Sequence, residues 1–230
     1  MKLSKGKIVV LAICLLCLII SIGGIVVYIQ DEQEIRELLT DTNSDTKEIN
    51  DVKSVYSDTH LRVEGTEIDY DIVQGEDNEY YLTHTPEGKY NKAGWLFFDY
   101  RVTEESQNKI IYGHNRVTGV MFGSLVNLTT KRYYKENGRD VIHITQNGVE
   151  ETYKVFSVYI TDINFDYLYC DFADTASYKA YITKVKAKNT IETFEDIVIT
   201  EDDKILTLST CAGKTDRLVV HAVKVKNGGI

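Results

Sequence analysis

A succession of short β-type runs separated by turn residues limits the folds open to this chain. From about residue 61 onward, runs rich in β-branched and aromatic residues alternate with Gly, Asn and Asp. The runs cover residues 68–74, 95–100, 109–112, 140–145, 151–161, 204–210 and 217–225. Seven or eight strands with short connections favour a mainly β domain, built as an antiparallel barrel or sandwich.

Residues 174–188 depart from this pattern. Asp174 or Thr175 can cap a helix there, and apolar residues then recur at helical spacing. These residues are Tyr178, Tyr181, Ile182 and Val185. The sequence therefore predicts one helix inserted between two strands.

The N-terminal region indicates a membrane anchor. Residues 8–29 are 22 positions without a charge, enough for a helix to span the roughly 30 Å hydrocarbon core. A cleaved signal peptide is the alternative, but its apolar region is shorter, about 7–15 residues, and ends at a small-residue cleavage site. Lysines precede the run and acids follow it, so residues 1–7 form a cytoplasmic basic tail. Residues 30–60 form a short helix and tether, and residues 61–230 form the domain outside the cell.

The charge of the chain bears on its partners. The formal net charge is −9, and the three lysines of the first 30 residues leave −12 for residues 31–230. Nucleic acids and anionic membrane surfaces both require a cationic footprint. The sequence therefore excludes nucleic acid as a main partner and favours a neutral or cationic one.

Two of the four cysteines, Cys170 and Cys211, lie outside the apolar run and could pair as an extracellular disulfide. Cys211 ends the alternating run KILTLSTC, and five turn-like residues separate it from the strand that Arg217 begins. This pattern is typical of a hairpin, which would bring Cys211 and Arg217 to one sheet edge. A guanidinium there can lower the pKa of a thiol and stabilise an oxyanion. An isolated cysteine, however, is more often an inert buried residue.

His114 follows another strand, in the run IIYGHN. Histidine is the natural proton carrier near neutral pH. Four other histidines compete for this role, and the residues alone leave the choice open: His60, His84, His143 and His221.

Several motifs occur together and in a consistent order. TLSTC at 207–211 precedes Arg217, and GWLFFDYR at 94–101, YGHN at 112–115 and MFGSL at 121–125 come earlier. Over roughly residues 60–227 the chain resembles the class B sortases, membrane-anchored cysteine transpeptidases of Gram-positive bacteria. The resemblance implies a closed sortase-type β-barrel with flanking N-terminal helices and an inserted helix before the penultimate strand. Residues 61–230 would then be the catalytic domain.

The resemblance also implies a reaction. Cys211 would attack the Thr carbonyl of a C-terminal NPxTG-like sorting motif, His114 would protonate the departing glycine amine, and Arg217 would hold the peptide and the oxyanion. The acyl group, cleaved between Thr and Gly, would pass from a surface protein to a peptidoglycan precursor amine. The residues expected to contact the peptide are Ser209, Thr210, Tyr167, Tyr178 and Tyr181, the three tyrosines as a groove wall. No cofactor and no metal are expected.

Further expectations concern the reactive cysteine. A free nucleophile excludes a Cys170–Cys211 disulfide. The short 212–216 loop could alter which nucleophile enters, and Lys214 is the alternative cation to Arg217. A hydrolytic cysteine protease and a membrane-tethered binding module without activity are the competing functions; the presence of Cys, His and Arg together favours the transpeptidase.

Overall fold

The computed structural model describes residues 7, 13–26, 29, 33, 55–136, 138–191, 194, 197–213 and 215–226. The chain divides into two compact units, Met1–Glu48 and Ile49–Ile230. In the first unit, residues 13–26 are helical and their large apolar side chains are exposed. No helix within the described residues is both long and apolar enough to cross a membrane. Most of the helix and tether predicted at 30–60 lies outside the described residues.

The second unit is a closed barrel of eight strands within the described residues, as the resemblance implied. The strands are β1 (Val55–Val63), β2 (Asp69–Gln74), β3 (Phe97–Phe98), β4 (Asn108–Tyr112), β5 (Val141–Gln146), β6 (Val149–Asp162), β7 (Ile205–Cys211) and β8 (Asp216–Lys224). Their order is β1-β2-β3-β4-β7-β8-β6-β5, and β5 pairs with β1 to close the barrel. The expected antiparallel pairing holds for the other strand pairs, but β2 pairs with β3 and β4 pairs with β7 in parallel.

Local chemistry explains two strand boundaries. β5 and β6 are joined at Asn147 and Gly148, whose φ angles of 52° and 74° match the two-residue hairpin turn that Asn-Gly favours. β3 is shorter than the run predicted at 95–100. Its end coincides with Asp99, whose carboxylate accepts the backbone N–H of Arg101 at 3.0 Å and so turns the chain away from the ladder.

The predicted inserted helix is confirmed at Thr175–Lys186, between β6 and β7. Asp174 caps it, and Asp174 and Ser177 form a reciprocal capping box worth about 1 kcal/mol. Tyr178, Tyr181, Ile182 and Val185 pack in one buried cluster with Ile205 of β7 and Val219 and Val223 of β8. Because side chains alternate along a strand, Thr207, Ser209 and Cys211 share the face of Ile205. This outer face of the barrel therefore carries Cys211 at one end of β7, and the helix packs on the same face nearer the other end.

Three short 3₁₀ helices complete the described elements: Tyr80–Leu82, Gly123–Thr129 and Tyr133–Lys135.

Candidate active site at the ends of three strands

Cys211 and Arg217 stand directly opposite each other. They are Cα partners in the antiparallel β7–β8 pair, which confirms the predicted hairpin. Paired residues project to the same face of a sheet with their Cβ atoms about 4.5–5.5 Å apart. Both side chains are half-buried, the Cys211 thiol is free, and Arg217 Nη1 donates to Asp216 O at 3.1 Å. Lys214, the alternative cation, lies outside the described residues.

His114 reaches the same place from β4. β4 runs parallel to β7 with Tyr112 aligned with Ser209, so His114 and Cys211 each follow two residues beyond the last aligned pair. Neighbouring strands lie about 4.8 Å apart, and residues two positions beyond an aligned pair project to the same face. The half-buried ring of His114 places Nε2 2.7 Å from Leu82 O. Within the described part of the chain, no hydrogen bond joins His114 to Cys211.

Two side chains extend the β4–β7 pairing past its backbone ladder. Thr210 Oγ1 donates to Gly113 O at 2.7 Å, and Asn115 Nδ2 donates to Cys211 O at 2.7 Å. The two bonds flank His114 on one strand and hold the Cys211 end of the other. The sequence patterns do not predict a role for Asn115. Its position directly after His114 is the sequence feature that could have indicated one.

Gly113 allows the chain that follows β4 to pass close to the buried side chains beside His114. A Cβ at this position would lie 2.2 Å from Leu96 Cδ2 and 2.9 Å from a ring carbon of Phe122. No side chain fits there without displacement of its neighbours. The position of His114 therefore depends on a glycine at residue 113.

Tyr167 and Ser209 lie beside Cys211 on the outer face. Their hydroxyls are 2.7 Å apart, and each residue is 3% exposed. Burial raises the pKa of Tyr167, the hydrogen bond with Ser209 and the charge of Arg217 oppose that rise, and Cys211 adds to it. The Tyr167 phenol therefore lies within electrostatic range of both the Arg217 guanidinium and the Cys211 thiol.

The other residues expected to contact the peptide occupy different surroundings. Tyr178 and Tyr181 are 1% and 4% exposed. Their hydroxyls donate to Asp203 O at 2.7 Å and to Tyr167 O at 2.8 Å. These rings form the core beneath the site, and their surface is not available near Cys211. Thr210 is also buried, on the opposite face of β7 from the cysteine.

Four histidines lie away from Cys211. His221 is completely buried, and burial lowers its pKa to about 3. His60 contacts two aspartates of β2, and the hydrogen bond with Asp71 is the main cause that raises its pKa to about 9. His143 lies on β5 between two glutamates, and His84 follows the first 3₁₀ helix. Only His114 lies at the strand ends where Cys211 stands.

Cys170 belongs to the other end of β4. Its carbonyl accepts the backbone N–H of Asn108 at 2.8 Å, at the start of the strand, whereas His114 follows its end. Six residues of extended chain separate these points by about 20 Å, well beyond disulfide reach. Cys170 is free and buried, and burial raises the pKa of its thiol to about 11. Among the described side chains, no group of three His, Cys, Asp or Glu could hold a metal ion.

A thiol, an imidazole and a guanidinium at adjacent strand ends form the arrangement of an acyl-transfer enzyme that works through a covalent cysteine intermediate. Residues 61–225 match the family model for the sortase domain. The chain is 34% identical over 186 residues to sortase B of Listeria monocytogenes, covering 77% of this chain and 72% of that protein. It is 29% identical over 172 residues to sortase B of Staphylococcus aureus, covering 72% of this chain and 69% of that one.

Solved structures agree. Sortase B from B. anthracis in complex with AAEK1 superposes with a TM-score of 0.74 and 30% identity, covering 86% of this chain and all of that one (100%). The S. aureus sortase B–substrate complex superposes with a TM-score of 0.69 and 28% identity, covering 75% of this chain and 81% of that one. The chain belongs to the sortase family and, within it, to class B. It is a cysteine transpeptidase, associated with the cell envelope as the family is.

Proposed function

We propose that Cys211 is the nucleophile, His114 the acid and base, and Arg217 the oxyanion partner in the transfer of an NPxTG-like sorting peptide to a peptidoglycan precursor amine. One observation carries the assignment: Cys211 at the end of β7 pairs with Arg217 at the start of β8, and His114 follows the end of β4 two residues beyond the aligned Tyr112–Ser209 pair. The substrates would be surface proteins that bear a C-terminal sorting signal, in a Gram-positive cell envelope.

The hydrogen bond between His114 and Leu82 O indicates which ring nitrogen of His114 carries the hydrogen. Leu82 O can only accept, so Nε2 carries a hydrogen and Nδ1 is the nitrogen that exchanges protons in the reaction. The Cys211 thiolate attacks the Thr carbonyl, and the C–N bond breaks as His114 protonates the glycine amine. An incoming amine then attacks the thioester, returns a proton to His114 and releases the thiolate. Arg217 donates hydrogen bonds to the oxyanion that forms in both steps.

The sorting peptide would occupy a groove on the outer face of the barrel. Tyr112 and Ser209, aligned on β4 and β7, form its floor. The 3₁₀ helix Tyr80–Leu82, in contact with His114, forms one wall, and residues 163–172, which carry Tyr167, form the other. The buried Tyr178 and Tyr181 support this floor from below instead of lining the wall, and Thr210 holds Gly113.

Residues 8–29 would anchor the enzyme, with the N-terminus in the cytoplasm and the barrel outside. The support is the 22-residue uncharged run and the exposed apolar side chains of its described part. Membrane fractionation of cells that express the full chain, compared with a variant lacking residues 8–29, tests this. Recovery of the full chain in the soluble fraction would contradict it.

Product analysis tests the reaction. The full chain is incubated with an NPxTG peptide, with and without diaminopimelate, lysine or triglycine, and intact mass and chromatography follow the enzyme and the products. A thioester on Cys211 and a new amide product in the presence of an amine are expected. Hydrolysis alone with every amine would indicate a protease, and absence of cleavage a binding protein.

Two variants separate the nucleophile from the proton carrier. Cys211→Ala should form no adduct on any substrate. His114→Ala should fail on the amide but recover acylation from an activated thioester, because that leaving group needs less protonation. Amide cleavage by His114→Ala equal to that of the parent would assign the proton to another residue.

A further inference from the structure

The carboxylate of Asp99, just after β3, is completely buried. It accepts two hydrogen bonds from the Arg101 guanidinium, Nε to Oδ1 at 2.8 Å and Nη2 to Oδ2 at 2.7 Å. Tyr112 Oη donates to Oδ2 at 2.8 Å, and Asn78 Nδ2 donates to the same oxygen at 3.1 Å. Burial acts to raise the pKa of Asp99, but the bonds from Arg101 and Tyr112 outweigh it and hold the pKa at about 2. Asp99 is therefore ionised throughout the physiological range.

The donors to Asp99 belong to, or are connected with, the three parts of the proposed groove. Asn78 leads into the wall Tyr80–Leu82, and its Oδ1 also accepts the backbone N–H of Tyr100 at 3.0 Å. Tyr112 belongs to the floor. Arg101 reaches the opposite wall, where its Nη2 donates to Leu168 O at 3.2 Å. One buried anion thus connects both walls to the floor.

We propose that Asp99 is a positioning residue that sets the spacing of the two groove walls and thereby the affinity for the peptide. It contacts none of Cys211, His114 or Arg217 by a hydrogen bond among the described residues. A buried charge is costly without its donors, so the donors, and the segments that carry them, are held in one arrangement. Asparagine at this position would lack the charge and would direct an NH₂ group at groups that are themselves donors.

The test is Asp99→Asn in the full chain, with Asp203→Asn as the matched control. Asp203 is also a buried carboxylate that accepts a backbone N–H, a hydroxyl and a cation, from Thr200 at 2.7 Å and 2.8 Å and from Lys226 at 2.8 Å. It precedes β7, at the end of the strand opposite to Cys211. Both substitutions should lower the melting temperature.

Only Asp99→Asn should change peptide recognition. Its KM for the sorting peptide should rise about tenfold, which corresponds to about 1.4 kcal/mol of binding free energy lost through altered wall spacing. The rate of Cys211 alkylation by iodoacetamide, mapped by peptide mass over a pH series, should match the parent, because the reacting groups remain in place. An unchanged KM, or a KM that rises equally in Asp203→Asn, would reduce Asp99 to a stabilising residue. An altered alkylation profile would show that Asp99 acts on the reacting groups and would also overturn the proposal.

Arg101→Lys provides the second variant if Asp99→Asn does not fold. It keeps a cation beside Asp99 but loses the two-pronged bond and the bond to Leu168 O. A KM increase in the same direction is expected, and a parental KM would overturn the proposal. The inference rests on the proposed groove and reaction. Failure of the parent to form an acyl-enzyme would refute that function, whereas an active parent with insensitive variants would refute only the role of Asp99.

Discussion

Removal of the Asn115 side chain should separate the position of the nucleophile from the stability of the fold. Asn115 Nδ2 donates to Cys211 O at 2.7 Å, beyond the last backbone pair of β4 and β7. A neutral hydrogen bond contributes about 0.5–1.5 kcal/mol net, and water can replace the exposed donor. Asn115→Ala should therefore lower the free energy of unfolding by about 0.5–1 kcal/mol and the melting temperature by about 1–4 °C.

The effect on rate should be larger than the effect on stability. The bond fixes the carbonyl of Cys211 relative to the strand end that carries His114. A displacement of about 1 Å at reacting groups can cost a hundredfold in rate. Single-turnover acylation by the sorting peptide, followed by intact mass, should fall about tenfold to a hundredfold.

Gln107→Ala is the matched control. Gln107 Nε2 donates to Glu201 O at 2.7 Å, so it makes an equivalent side-chain bond at the opposite end of the same two strands. A similar fall in melting temperature with parental acylation is expected. Parental acylation by Asn115→Ala, or an equal loss in both variants, would refute the positioning argument.

Three further outcomes are expected. Arg217→Lys should keep the fold but lose most turnover, because lysine lacks the directed fork of donors; near-parental turnover would move the role to another group. Gly113→Ala should cost about 1–3 kcal/mol of stability by overpacking and reduce acylation. Combined with Leu96→Ala, it should cost less stability than the sum of the two single losses, and additive losses would contradict the clash. Because the pKa of His60 is raised from 6.5 to about 9, its stabilising charge is fully present below pH 6.5 and lost as the pH rises through 9. Between those pH values the parent should therefore lose more in melting temperature than His60→Gln, and parallel thermal profiles would exclude this contribution.

Local sequence determined the parts of the site that are close together in the chain. The alternation that ends at Cys211, followed by five turn residues and Arg217, specifies a hairpin, because a short connection can only return the chain along the strand it has left. The inserted helix follows in the same way from the cap at Asp174 and the spacing of its apolar residues. Both predictions depend on residues within one or two turns of chain, where periodicity and capping act.

Tertiary structure alone decided which distant residues meet. His114 and Cys211 come together through a parallel pairing of β4 with β7, and the bond from Thr210 to Gly113 spans 97 residues. Alternation states that Ser209 and Cys211 share a face, but it does not state which element covers that face. The inserted helix covers the part of this face around Ile205, away from Cys211. Tyr178 and Tyr181 are therefore buried and do not form a groove wall. Of the donors around Asp99, Arg101 is a near neighbour in the chain, whereas Asn78 and Tyr112 come from other segments that no local pattern brings to it. Contacts of this range close long loops of chain, so they depend on tertiary packing and not on local periodicity or capping.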